Sequence, residues 1–157
     1  GNQLKKYADT FEMVMNFHDV NSSRSEVPLE TILTSSDIII LSASYLPEIN
    51  KYPILGAREM LLLDRPCTLI NTSRGEVVDE YAVLDLLNEN TSFRYFTDVL
   101  RDEHNLKTSK LFVAAEKLEN LAITPHVSGA TYDSMRATED FCAEKFAIRI
   151  KSDQQGI

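Results

Sequence analysis

Residues 67–87 read CTLINTSRGEVVDEYAVLDLL, and this stretch decides the fold. Cys67 to Ile70 make a short apolar run of the kind that forms a buried strand, and they pass directly into NTSRGEVVDE, a loop dense in capping residues. Asp79 is a good N-cap for the helix EYAVLDLLNEN that follows, which places Leu84 and Leu87 on one face. Strand, loop and amphipathic helix in that order form the repeating unit of a parallel α/β sheet.

The same alternation runs in both directions from there. Upstream lies DIIIL at 37–41, the clearest strand of the chain, preceded by PLETILTSS with Pro28 at the start of a short helix. Before it, NQLKKYADT at 2–10 reads as a helix and Met13 to Phe17 as a strand ending in His18-Asp19. Ala57 to Leu63 supply one or two helical turns after a loop marked by Pro47 and Pro53. Downstream, Arg94 to Val99 read as a strand that ends in acidic DVLRDEH. A polar stretch, 104–120, leads to the short strand LAIT and Pro125. From Thr131 to about Lys151 the pattern is a long amphipathic helix with Met135, Phe141, Cys142, Phe146, Ile148 and Ile150 on its apolar side. Five strands separated by helices predict a doubly wound, Rossmann-like parallel sheet with right-handed crossovers and helices on both faces.

Composition narrows the classes of partner. The chain has 157 residues, 43% apolar and 25% charged, enough for one core, and its 24 acidic against 16 basic residues leave a formal charge of −8. That field repels nucleic acid phosphates and anionic lipid, so neither nucleic acid nor membrane is an expected partner. No apolar stretch approaches the roughly 18 residues needed to cross a bilayer. Cys67 and Cys142 lack Cys-x-x-Cys spacing and fall in apolar patterns, so core packing in a reducing cytoplasm is expected, with no metal site.

In a parallel α/β sheet, ligands bind at the carboxyl ends of the strands. Four segments occupy those positions here: HDV at 18–20, NTSRG at 71–75, DVLRDEH at 98–104 and TPHVSGAT at 124–131. They carry Asp19, Arg74, Asp98, Glu103 and His126 toward one edge. Arg74 offers a planar fork that holds a carboxylate through two parallel hydrogen bonds, which suits a 2-keto or 2-hydroxy acid. His126 can exchange a proton with a substrate oxygen near neutral pH, and a carboxylate such as Glu103 would fix its tautomer. Hydride must come from a cofactor, and the fold class points to nicotinamide. Singly, each residue also has a plain structural reading: Asp19 as a turn residue, Arg74 as a surface cation, His126 as an oriented structural histidine, and Asp98 and Glu103 as part of a solvated acidic loop.

Three motifs in fixed order raise these readings above the plain ones. LINTSRGEVVDEYAVLDLL at 69–87, TDVLRDEH at 97–104 and AITPHVSGAT at 122–131 resemble the signatures of the D-isomer-specific 2-hydroxyacid dehydrogenase family, in its NAD-binding domain. The resemblance covers nearly the whole chain and implies NAD as cofactor, a small 2-keto or 2-hydroxy acid as substrate and a homodimeric parent protein. It assigns Arg74 to the substrate carboxylate, His126 to acid/base work and Glu103 to the carboxylate behind it. Asp98 would hold the nicotinamide carboxamide, and Asp19 the adenosine ribose, where a 2′-phosphate would meet a like charge. Gly1, Ala43, Thr72, Ser73, Ser128 and Gly129, with Arg74 and His126, complete the implied cofactor contacts. Gly1 precedes Asp19 by 18 residues and matches the third glycine of the family's fingerprint. Residues 1–157 therefore read as one NAD-binding domain that begins after its first strand, without the substrate domain. The rival reading is a non-catalytic NAD-binding module, similar to the co-repressors built on this fold. Glu12, Asn90 and His104 depart from the family's Gly, Gly and Pro, and Ser42 and Ser44 from its His and Pro. None of these departures touches Arg74, Glu103 or His126.

Overall fold

The structure is a computed structural model that describes residues 2–19, 25–48 and 52–154, so Gly1 lies outside the described residues. The chain divides into two compact units, 1–124 and 125–157.

In the first unit the elements run α1 (Asn2–Thr10), α2 (Leu29–Ser35), β1 (Ile38–Leu41), α3 (Ala57–Met60), β2 (Cys67–Asn71), α4 (Glu80–Glu89), β3 (Phe93–Thr97), α5 (Lys110–Ala114) and β4 (Leu121–Ile123). The four strands form one parallel sheet in the order β1-β2-β3-β4. This Rossmann-like α/β sheet is the class the sequence predicts. Alternate residues of each strand point to one face, where Ile39, Leu41, Leu69, Phe93, Tyr95 and Leu121 form a single buried cluster with Leu33 of α2, Met60 of α3, Val83 and Leu87 of α4, and Leu111 of α5. The alternate set is open: Ile38 is 44% exposed, Ile40 40% and Phe96 39%. Among the described residues of this unit, the helices that join the buried cluster are α2, α3, α4 and α5.

Strand register matters most for function. Leu41 pairs with Asn71, Asn71 with Thr97 and Thr97 with Ile123, so the four carboxyl ends stand in one row. The helix after β2 starts where the sequence places it: the Asp79 carboxylate accepts from the backbone N–H of Tyr81 (3.0 Å) and Ala82 (3.3 Å). It ends at Asn90, whose φ of −123° is extended and needs no glycine. The polar stretch after β3 holds a 3-10 turn, Glu103–Thr108, and the short helix α5, capped by the Ser109 hydroxyl.

Two expectations fail here. Met13 to Phe17 is not a strand: Val14 is 92% exposed, and the Phe17 carbonyl accepts from the N–H of Glu26 (3.0 Å) and Val27 (3.4 Å). An apolar run becomes a strand only where a neighbouring strand takes its backbone groups, and among the described residues none lies beside it. Cys67 is buried as expected, and that burial pushes its thiol up to about 11, so it stays neutral in the core. Cys142 is exposed instead.

Glu12 explains one of the departures from the family pattern. The N–H of Met13 bonds the Ala8 carbonyl (2.9 Å) and that of Glu12 the Asp9 carbonyl (3.3 Å), which closes α1 in a left-handed cap with Glu12 at φ 55°. A residue with a Cβ is strained there and glycine is not. Glu12→Gly is accordingly expected to stabilise the protein by about 1 kcal/mol, seen as a higher urea midpoint. An unchanged or lower midpoint would contradict the strain.

The second unit contains α6 (Tyr132–Gln154), opened by the Thr131 hydroxyl, which accepts from the Ser134 N–H at 3.2 Å. The helix is longer than expected, and its apolar residues lie on two stripes. Met135, Cys142, Phe146 and Ile150 follow one and Phe141 and Ile148 another, and all of them are exposed. Among the described residues no helix is long and apolar enough to cross a membrane.

Candidate functional site at the strand carboxyl ends

Asn71, the last residue of β2, is fully buried and organises the loop after it. Its Oδ1 accepts from the Ser73 N–H (3.0 Å) and the Ser73 hydroxyl (2.9 Å). Its Nδ2 donates to the Arg74 carbonyl (2.9 Å) and to the Tyr95 hydroxyl (3.4 Å). Burial pushes the Tyr95 phenol up, so it stays neutral and can receive that proton. Arg74 itself is exposed, and its Nη1 donates to the Ser73 carbonyl at 2.7 Å.

Beside this loop, Ser42, Ala43, Ser44 and Tyr45 from the end of β1 join Thr72, Ser73 and Arg74 around a cleft of about 390 Å³. Its polar side chains are four aliphatic hydroxyls, one phenol and a guanidinium, with no carboxylate among them. Such a lining accepts an anion, as a dinucleotide's phosphates or a keto acid's carboxylate require. Ser42 and Ser44, the departures from the family's His and Pro, contribute two of those hydroxyls.

One strand over, Thr97 and Asp98 continue the row. Both are buried, at 4% and 5% exposure. The Asp98 N–H donates to the Asn71 carbonyl (3.0 Å), the Thr97 hydroxyl donates to the Val99 carbonyl (2.6 Å), and the Thr124 hydroxyl donates to Asp98 Oδ1. Glu103 is exposed, and its Oε1 accepts from the Leu100 N–H at 3.1 Å, which shapes the turn that carries it. Gly75 ties the two loops together. A Cβ on it would lie 2.1 Å from the Leu100 carbonyl carbon and 2.2 Å from the Arg101 nitrogen, so only glycine lets these backbones touch.

The predicted residues therefore fall into groups. The cleft joins Ala43, Thr72, Ser73 and Arg74, while Asp98 and Glu103 follow the adjacent strand end. Asp19 is half-buried at the end of the 13–19 segment. His126, Ser128 and Gly129 belong to the second unit, all exposed. His126 has φ 54°, a left-handed conformation of the kind that clusters at functional sites. Sequence reasoning missed Asn71, Gly75, Thr97 and Thr124, whose roles are contacts across strands. Among the described residues, no group of three or more His, Cys, Asp or Glu is placed to hold a metal ion.

Glu80, the first residue of α4, strengthens the junction between the loops by accepting from the Arg101 N–H at 2.7 Å. Burial raises its pKa above the ordinary 4.5. A raised carboxyl favours the folded state while protonated, and that contribution fades as pH climbs through the folded pKa. Glu80→Gln keeps an acceptor and removes the titration. Its urea midpoint is expected to gain on the unsubstituted protein as pH rises from 4 toward 7. A difference independent of pH would contradict the shift.

A parallel sheet with an anion-accepting, arginine-bearing cleft at its carboxyl ends defines a nucleotide-binding domain of Rossmann type. Residues 1–128 match the model of the D-isomer specific 2-hydroxyacid dehydrogenase NAD binding domain, and the chain belongs to that family. Its cofactor is NAD, and the donor-lined cleft with buried Asp98 beside it suits such a ligand. The chain is 35% identical over its whole length to a glycerate dehydrogenase of Methylorubrum extorquens, spanning 49% of that protein. It is 32% identical over 81% of its length to a glyoxylate reductase of Thermococcus litoralis, covering 36% of it. A D-isomer specific 2-hydroxyacid dehydrogenase from Lactobacillus delbrueckii ssp. bulgaricus, solved with NAD, superposes with a TM-score of 0.81 at 21% identity over 96% of this chain and 50% of that one, which shows the fold. The chain thus spans about half the length, or less, of the proteins it matches.

Proposed function

We propose that this chain is the nucleotide-binding part of an NAD-dependent enzyme that interconverts a small 2-keto acid and the corresponding D-2-hydroxy acid, working in the cytoplasm as a homodimer. The observation that carries the reading is Arg74, held by the Asn71 loop on a cleft of hydrogen-bond donors at the end of β2. When bound, the nicotinamide supplies the hydride. Arg74 binds the substrate carboxylate in two hydrogen bonds and draws charge from the carbonyl beside it. His126, in the Thr-Pro-His motif, gives the proton to the carbonyl oxygen as it becomes a hydroxyl and takes it back in the reverse direction. Glu103 holds the imidazolium form of that histidine, and Asp98, kept in place by Thr124, receives the carboxamide of the cofactor. Asp19 takes the ribose hydroxyls, and Thr72, Ser73, Ser128 and Gly129 line the remainder of the cofactor path. The relatives' names, a glycerate dehydrogenase and a glyoxylate reductase, support a substrate of two or three carbons. Exposed Met135, Phe146 and Ile150, on one stripe of α6, supply an apolar surface for a second copy.

NADH binding can be followed by the cofactor's own fluorescence, excited at wavelengths where protein side chains do not absorb. The full-length protein is expected to bind NADH and to consume it when glyoxylate is added. Arg74→Ala is expected to raise KM for glyoxylate by about 10- to 100-fold, the worth of a charge-assisted pair. NADH binding with no consumption on any small 2-keto acid would favour a non-catalytic module.

A further inference from the structure

All four hydrogen-bonding positions of the Asn71 side chain are filled. An amide has two lone pairs on oxygen and two protons on nitrogen. Here the lone pairs receive the Ser73 N–H and hydroxyl, and the protons go to the Arg74 carbonyl and the Tyr95 hydroxyl. The side chain is fully buried, so water cannot replace any of these partners at low cost. Three of the four bonds end on residues 73 and 74. Arg74 is then held twice through this one amide: its carbonyl directly, and its guanidinium through the Ser73 carbonyl, 2.7 Å from Nη1. The Asn71 backbone carbonyl in turn takes the Asp98 N–H, so one residue ties the Arg74 loop to the start of the Asp98 loop.

We infer that Asn71 is a positioning residue for the 2-keto acid: it sets where the Arg74 guanidinium stands, and thereby the affinity for the substrate carboxylate, without touching substrate itself. The inference rests on the role proposed for Arg74. An exposed arginine on a free loop would sample many positions and lose much of the entropic advantage of its fork, whereas a loop closed by a saturated amide presents it ready to bind. No other residue type fills the position. Aspartate has the same shape but offers no donor, so the Arg74 carbonyl would face a carboxylate oxygen in a buried place. Serine falls short of both Ser73 and Arg74.

The test uses the full-length protein with NADH and glyoxylate as probes, and compares Asn71→Asp, Asn71→Ser, Tyr95→Phe and Arg74→Ala. Both Asn71 variants are expected to raise KM for glyoxylate by about 10- to 100-fold, the penalty of misplacing a binding group by about 1 Å, with NADH affinity changed far less. Tyr95→Phe removes the one bond that does not reach the Arg74 loop and is expected to leave KM for glyoxylate within about threefold of the starting value, well below the loss from a misplaced group. Should Asn71→Asp fail to fold, Asn71→Ser decides, since a water can enter beside the smaller side chain. A KM for glyoxylate that stays unchanged in a folded Asn71 variant overturns the inference. So does a Tyr95→Phe loss as large as that of the Asn71 variants. Arg74→Ala separates the two levels: if it too leaves KM unchanged, the role of Arg74 has failed, and if it alone raises KM, only the positioning role of Asn71 has.

Discussion

His126→Ala in the full-length protein is expected still to bind NADH and to reduce a 2-keto acid about 10²- to 10⁴-fold more slowly, the usual worth of a placed general acid. In the motif Thr124-Pro125-His126 the histidine follows the last residue of β4, Ile123, by three positions in the chain. Its backbone supports a special role, because φ 54° is a conformation that a side chain tolerates at some cost and that histidine tolerates better than most. The alanine variant removes the ring, so a loss in kcat with NADH affinity preserved assigns the proton to His126. Unaltered kcat would remove His126 from the mechanism.

Gly75→Ala is expected to destabilise the first unit strongly although it adds a single methyl group. The new methyl would sit 2.1 Å from the Leu100 carbonyl carbon, 2.2 Å from the Arg101 nitrogen and 2.5 Å from the Leu100 oxygen. These are backbone atoms, which cannot rotate away as a side chain can. The contact must open, and in opening it separates the Arg74 loop from the Glu103 turn and stretches the Glu80 bond to the Arg101 N–H. A loss of about 3 kcal/mol, the upper range for overpacked sites, is expected in urea denaturation, together with a lower kcat/KM. A variant within about 0.5 kcal/mol of the starting protein, the range of neutral surface changes, would show that the two loops do not touch.

How far the sequence could be read depended on the range of the interactions involved. β1, β2, β3 and β4 were legible because short apolar runs next to capping residues are local signals, and Asp79 caps α4 through bonds two and three residues away. Met13 to Phe17 carried the same apolar signal and failed, because a strand also needs a partner and no local pattern reports one. The apolar pattern of α6 was similarly real in composition, yet its residues divide between two stripes and Cys142 is exposed. Arg74, Glu103 and His126 are proposed from residue type and motif. Asn71 stands in the NTSRG motif, but its role is not legible there, since its partner Tyr95 lies 24 positions away and nothing local reports that bond. Gly75 was hidden for the same reason: its φ is ordinary, and the need for glycine comes from the Leu100 backbone. Glu12 shows the opposite case, a local departure whose strain became visible only with its φ.

The central assignment, hydride transfer to a 2-keto acid, is tested most directly by the fate of a label. The full-length protein is given NADH carrying deuterium at both C4 positions together with glyoxylate and, separately, a three-carbon 2-keto acid, and the products are examined by mass and by chiral separation. One deuterium at C2 of the hydroxy acid, with the D isomer formed from the three-carbon substrate, is the expected result. Bound NADH with no deuterated hydroxy acid, or a product of the L isomer, would contradict it.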